Sequence, residues 1–156
     1  MGLADLDVIV ALEQDAHLSP WSRENFVSSI TADYLCWCVE HATQTICAYT
    51  VLMPVLDELH LLNITVAPAF RRQGYAHYLL DNAGEFARQH HFKKILLEAR
   101  QSNTAALSLY QQYGFQEIGQ RPGYYPHPTQ KRETAIVMVY ETPLSPSPCG
   151  VSPTAC

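Results

Sequence analysis

Asn63-Ile-Thr-Val-Ala-Pro-Ala-Phe-Arg-Arg-Gln-Gly-Tyr-Ala-His77 is the stretch that decides the fold. A strand ends at Val66, a tight connection follows, and a helix begins near Gly74. From there Ala76, Leu79, Leu80, Ala83, Phe86 and Ala87 form one apolar stripe at helical spacing through His90. The first-turn N–H groups of such a helix have no partners within it, and its dipole adds positive potential there. Gly74 permits close backbone approach, Ala76 leaves room, and Arg71 and Arg72 add charge. That combination suits a pyrophosphate, which would lie along Arg71, Arg72, Gln73, Gly74, Tyr75, Ala76 and His77. A Walker loop would need Gly-Lys-Ser/Thr, and a dinucleotide fingerprint three glycines; neither is present. A plain surface loop with two solvated arginines is the other reading.

Upstream, Leu6, Ile9, Val10 and Leu12 space a first helix within residues 3–17, and Ser22 can cap a second through about Ile30. Tyr34–Glu40, Thr45–Leu52 and, after the breaker Pro54, Glu58–Val66 read as three strands of an antiparallel meander, the first two joined by the polar turn at 41–44. Downstream, Lys94–Ala99 is short and mostly apolar, as a buried strand parallel to its predecessor would be. Asn103 can cap a helix through Tyr113 that Gly114 ends. Phe115–Gln120 and Glu133–Thr142 read as closing strands around a loop at 123–128. This order describes a mixed α/β (α+β) sheet rather than an alternating Rossmann unit.

The 156 residues fit one domain, placed at 1–142, with 47% apolar and 16% charged side chains. Residues 143–156, rich in Pro, Ser and Cys, cannot add to a core and are expected to be disordered. Ten basic against 15 acidic groups leave a charge of −5, which disfavours general nucleic-acid binding. The five cysteines include no CxxC pair or zinc-ligand spacing, so no metal is expected. Cys36 and Cys38 alternate within an apolar strand and read as buried free thiols. The acidic N-terminus lacks a signal-peptide layout and no apolar run is long enough to span a bilayer, from which a cytoplasmic home is expected.

A second motif follows the first by one strand–helix unit: Asn103-Thr-Ala-Ala-Leu-Ser-Leu-Tyr110-Gln-Gln-Tyr-Gly114-Phe115. With the Arg71–Ala76 loop before it, the chain resembles the GNAT acetyltransferase superfamily. Ala16–Ser22, Leu62–Val66, Leu97–Asn103 and Gly123–Pro126 narrow the resemblance to the bacterial RimI group. That group acetylates the N-terminal alanine of a small-subunit ribosomal protein. The likeness extends to about Tyr140. Two departures stand out: the group usually opens with a strand before the first helix, whereas Met1 falls almost at that helix, and the tail has no counterpart.

The resemblance implies a GNAT fold whose sheet is mostly antiparallel, with a central parallel pair splayed open between flanking helices. It implies acetyl-CoA as donor, its pantetheine arm pairing with backbone at Ile64, Thr65 and Val66 and touching Asn103. It implies Glu98 as general base and Tyr110 as the acid that protonates the departing thiolate. Tyr124 and Tyr125 would overhang the acceptor, a protein N-terminus. The residues themselves also allow blander readings: Asn103 as a simple N-cap, Glu98 in an ion pair with Arg100, Tyr110 as core filling, and the two tyrosines in a Pro-braced loop. As an isolated acid in an apolar strand, Glu98 has the setting in which burial raises a pKa toward useful values. An α-amine with pKa near 7.8 is roughly one part in seven free base at neutral pH, so it needs only modest help. Acetylation of a small-molecule amine, or CoA binding without catalysis, are the competing functional readings.

Overall fold

In a computed structural model, which describes residues 1–42, 45–127 and 132–143, Leu6, Ile9 and Leu12 line one face of helix α1 (Leu6–Ala16). Ser22 caps α2 (Arg23–Thr31) by accepting from the Asn25 amide, while the Asn25 side chain answers the Ser22 amide. Strands β1 (Leu35–Glu40), β2 (Ile46–Val55) and β3 (Glu58–Val66) form the antiparallel meander. Helix α3 (Tyr75–Gln89) leads to β4 (Lys94–Arg100), and α4 (Thr104–Tyr113) to the hairpin of β5 (Gln116–Tyr125) and β6 (Glu133–Glu141). The six strands lie in the order β1-β2-β3-β4-β6-β5 with one parallel pair, β3 with β4, which is the mixed GNAT-type sheet expected.

Helices cover both faces. Leu80, Ala83 and Ala87 of α3 and Tyr110 of α4 pack on Leu59, Leu61, Ile95, Leu97, Ala99 and Met138. On the opposite face Leu6, Ile9 and Leu12 of α1 and Phe26 of α2 pack on Tyr49 and Val51.

Ladder pairing between β3 and β4 runs only from Glu58 with Lys94 to Leu61 with Leu97. Beyond that rung the strands separate. Against β2, Leu52 pairs with Leu61 and Val51 with Asn63, so Leu62 is one extra residue in β3. Such a bulge reverses the alternation of side chains. Leu59 and Leu61 face α3, whereas Asn63 and Thr65 face α1.

There they meet Glu13, a carboxylate only 2% exposed. Glu13 accepts from the Tyr49 hydroxyl, from the Trp21 amide at 2.9 Å and from Asn63 Nδ2 at 3.3 Å. His17 Nε2 lies 3.3 Å from Glu13 and 2.7 Å from Thr65 Oγ1. Thr65 gives its own proton to Asn63 Oδ1 at 2.9 Å, so His17 Nε2 is the donor toward both neighbours. Burial, with the Glu13 charge second, pushes the Tyr49 phenol far above its ordinary range.

Several expectations change. Pro54 does not break β2, which runs through it to Val55 and turns at Leu56-Asp57. Pairing with β1 stops at Leu52, so no ladder on that side requires the proton that Pro54 lacks. β5 continues to Tyr125, past the expected end at Gln120, so Tyr124 and Tyr125 end a strand rather than occupy a loop. Cys36 and Cys38 are free but half-buried, and Cys47 is free and buried. Among the described residues no strand precedes α1, and no helix is long and apolar enough to cross a membrane. The expected disordered tail lies, from residue 144 on, outside the described residues.

Replacing Glu13 with Ala removes the acceptor shared by Tyr49, Trp21, Asn63 and His17 and is expected to cost about 2–4 kcal/mol in urea unfolding. Glu13→Gln, which retains an acceptor, should cost less. A loss below about 1 kcal/mol for the alanine variant would contradict a clamping role for Glu13.

Candidate active site

The connection after β3 is a short helical turn (Pro68–Phe70) followed by Arg71–Gly74. Arg72 (φ 63°) and Gly74 (φ 90°) both adopt left-handed backbone. For arginine that conformation is costly, and strain of this kind gathers where a loop must present its amides to a ligand. Gly74 is the N-cap of α3, not its first residue as expected, and supplies no side-chain cap. The first-turn N–H groups of Tyr75, Ala76 and His77 are therefore uncapped by any side chain at the positive end of the helix. Arg71, Arg72 and Gln73 are exposed around this turn. Arg71 folds back to donate from Nε to the Val66 carbonyl at 3.3 Å, and Gln73 bonds the Ala69 carbonyl at 3.3 Å. Tyr75 packs edge-on against Phe70, and His77 against Tyr113.

Past Leu61, the edge of β3 that faces β4 has no ladder partner through Val66, so its backbone groups there are open to an added strand. Ile64 and Val66 pack toward Leu79 of α3 on one face, and Thr65 is buried against His17 on the other. Across the gap, β4 pairs with β6 alone from Glu98 to Arg100.

Ile95, Leu97 and Ala99 belong to the core under α3 and α4, so alternation turns Glu98 and Arg100 to the α1 face. Glu98 is 24% exposed and pairs with Arg121, Nε to Oε1 at 2.9 Å. Arg100, the ion-pair partner that the blander reading of the sequence allowed, is taken up elsewhere. It pairs with Glu133 at 3.3 Å, donates to the Pro126 carbonyl at 3.1 Å and sits 4.5 Å over the Tyr125 ring. The setting of Glu98 thus differs from the isolated, apolar one anticipated.

Tyr124 and Tyr125 both reach Glu98. The Tyr125 hydroxyl donates to its backbone carbonyl at 3.1 Å. Tyr124 hydrogen-bonds its carboxylate, which raises the Tyr124 phenol above its usual range. Burial, followed by the Glu98 charge, pushes Tyr125 up to about 12. Tyr110 lies on the other face of the sheet, 7% exposed and against Phe115, and burial drives its phenol well above 10. Asn103 caps α4, its Oδ1 accepting from the Ala106 amide at 3.2 Å. Among the described residues no cluster of three or more His, Cys, Asp or Glu could hold a metal.

Two residues of this region were not anticipated. Glu13 stands four residues after Ile9 and seven after Leu6, so its place on the buried stripe was readable as an acid among apolar neighbours. Arg121 carried no such signal.

An uncapped helix N-terminus after a left-handed turn, beside a sheet opened between two parallel strands, is the architecture of an acyltransferase fold. The profile of the acetyltransferase (GNAT) family matches residues 6–115, and the chain belongs to that family. Its relatives include the ribosomal protein bS18-alanine N-acetyltransferase of Haemophilus ducreyi, 38% identical over 135 residues that span 86% of this chain and 92% of that one. The protein of the same name from Escherichia coli K12 is 38% identical over 136 residues, 86% of this chain and 89% of its own. The crystal structure of the E. coli ribosomal-protein-S18-alanine N-acetyltransferase superposes with a TM-score of 0.86 at 34% identity, covering 95% of this chain and 94% of that one. Naa20 of Chaetomium thermophilum, solved with a bisubstrate analogue, shares the fold at 18% identity and a TM-score of 0.79, covering 91% of this chain and 84% of that one.

At Gly74 an added Cβ would meet nothing within 4 Å, so only backbone conformation opposes substitution. Gly74→Ala is expected to lower stability by about 1 kcal/mol, read from the denaturation midpoint. An unchanged midpoint would mean the turn can relax to negative φ.

Proposed function

We propose that this enzyme transfers acetyl from acetyl-CoA to the N-terminal α-amine of a protein, an N-terminal alanine of the small-subunit ribosomal protein bS18 in the cytoplasm. The observation that carries the reading is the gap between β3 and β4, with an acid on one side of the sheet and a phenol on the other. The relatives at 38% identity supply the acceptor class.

In this reading the diphosphate lies on the amides of residues 71–77, with the Arg72 and Gly74 backbone turned left-handed to expose them. The pantetheine arm takes the open edge of Ile64, Thr65 and Val66 as an added strand would, and an amide of that edge polarises the thioester carbonyl. The Nδ2 group of Asn103, left over from capping α4, is free to bond the arm. The acceptor approaches from the α1 face, where Tyr124 and Tyr125 overhang Glu98.

Glu98 accepts the proton that the amine must lose. The amine nitrogen attacks the thioester carbon, the carbon–sulfur bond breaks, and Tyr110 gives its proton to the departing sulfur. A phenol raised by burial stays protonated at neutral pH, as an acid must. Base and acid thus serve the reaction from opposite faces, which keeps the two proton transfers apart. Transfer in this reading is direct rather than through an acyl-enzyme: burial pushes the Cys36 and Cys47 thiols up, away from the reactive thiolate.

Incubation with acetyl-CoA and a peptide beginning with alanine should release CoA and acetylate the peptide's α-amine, read by thiol detection and mass spectrometry. Glu98→Gln and Tyr110→Phe are each expected to lower kcat about a hundredfold or more, with acetyl-CoA binding retained in calorimetry. Unchanged rates in both variants would reject the assigned roles. Faster turnover of polyamines or aminosugars than of the peptide would reject the acceptor.

A further inference from the structure

Arg121 lies on the outermost strand of the sheet, two strands away from Glu98, yet its Nε sits 2.9 Å from the Glu98 carboxylate. A local irregularity makes this possible. Glu117 pairs with Met138, but Gly119 rather than Ile118 pairs with Val137, so Ile118 is an extra residue in β5. Met138 faces the α3 core, and with regular pairing Arg121 would face that core as well. The bulge at Ile118 reverses the phase. It sets Gly119 beside Val137 and Arg121 beside Ala135, in line with Glu98 and Arg100 of β4, which pair with the same two β6 residues. Bulges next to active sites commonly re-aim a side chain in this way.

The path between the two strands is clear. Gly119 has no side chain and nothing within 4 Å of where one would begin, and Ala135 is small. The long arginine stem crosses β6 over these positions, and the guanidinium also lies 5.6 Å from the Tyr124 ring. Tyr124 in turn hydrogen-bonds the same carboxylate. Arg100, the other cation on this face, is held by Glu133, the Pro126 carbonyl and Tyr125.

We propose that Arg121 is a positioning residue for Glu98: delivered across β6 by the bulge at Ile118, it fixes one carboxylate oxygen and leaves the remaining lone pairs to the acceptor amine. A carboxylate has about four lone-pair sites, so an ion pair at one oxygen leaves most of them open to the amine. Without the guanidinium, a side chain with three rotatable bonds is free to turn away, and small misplacements of a proton acceptor are expensive in rate. An arginine 57% exposed contributes little as a surface ion pair to stability, so its removal should register in turnover rather than in folding.

The inference rests on Glu98 being the base, and a double-mutant cycle separates the two. Arg121→Ala is expected to lower kcat about tenfold while KM for acetyl-CoA and the melting temperature stay near wild type. Arg121→Lys, which keeps a cation on the same stem, should recover most of that loss. In a Glu98→Gln background, Arg121→Ala should slow the enzyme less than about twofold, because it acts through a group already removed. An equal loss in both backgrounds would overturn the positioning role while leaving Glu98 as base. No loss in the single Arg121→Ala variant would overturn it too. A Glu98→Gln enzyme as fast as wild type would remove the base, and this inference with it.

Discussion

One constraint governs the molecule: β3 and β4 pair for four rungs and then must part. Parallel strands left to themselves continue pairing, because each unmade rung leaves backbone groups without partners. Separation therefore has to be imposed. On the β3 side it is imposed by the extra residue Leu62, which breaks the phase of the strand, and by Glu13 and His17, which hold Asn63 and Thr65 respectively on the α1 face. On the β4 side the full ladder with β6 holds the strand straight. The open backbone edge that results is a liability in an isolated sheet and an asset only if a ligand completes it.

The same device appears twice. A single inserted residue at Leu62 turns two polar side chains to the α1 face, and a single inserted residue at Ile118 turns Arg121 to that face as well. The first lies at the edge of the gap and the second on the outermost strand, two strands from β4. One turns polar side chains to the α1 face and the other brings a cation to the Glu98 carboxylate. Regular strands would have turned Asn63 and Thr65 toward the apolar residues under α3, where their polar groups would lack partners, and would have turned Arg121 away from Glu98. The apolar core and the polar site can share one sheet because the bulges change phase between them.

What the sequence made legible follows from this. The stripe of α3, the loop at Gly74 and the capped helix after Asn103 are local signals, and the structure places all three where their patterns indicated. The buried strand 94–99 is legible from its apolar run, but the sequence alone leaves Glu98 as an isolated acid within it, whereas the packing turns Glu98 away from the core side chains. Long-range pairing was less readable. The sequence offers Arg100 as an alternative ion-pair partner for Glu98, near in the chain, whereas the actual partner arrives from β5 by a register shift that no periodicity announces. The strand through Pro54 was missed because proline's effect depends on where the neighbouring strand stops, a tertiary fact. Tyr124 and Tyr125 were assigned to the right neighbourhood but the wrong element, since Gly123 and Pro126 look like a loop and β5 simply continues to them.

The two acids of the α1 face show why burial alone does not mark a base. Glu13 is nearly inaccessible, and the Tyr49 hydroxyl, the Trp21 and Asn63 amides and His17 converge on it. Its lone pairs are spent on structure, in the clamp that holds β3 aside. Glu98 is a quarter exposed and bordered by an edge-strand arginine and a tyrosine, both able to move without disturbing the core. The two carboxylates thus differ in what holds each: Glu13 is clamped by four groups of the fold, whereas Glu98 meets one arginine of the edge strand and stays open to solvent.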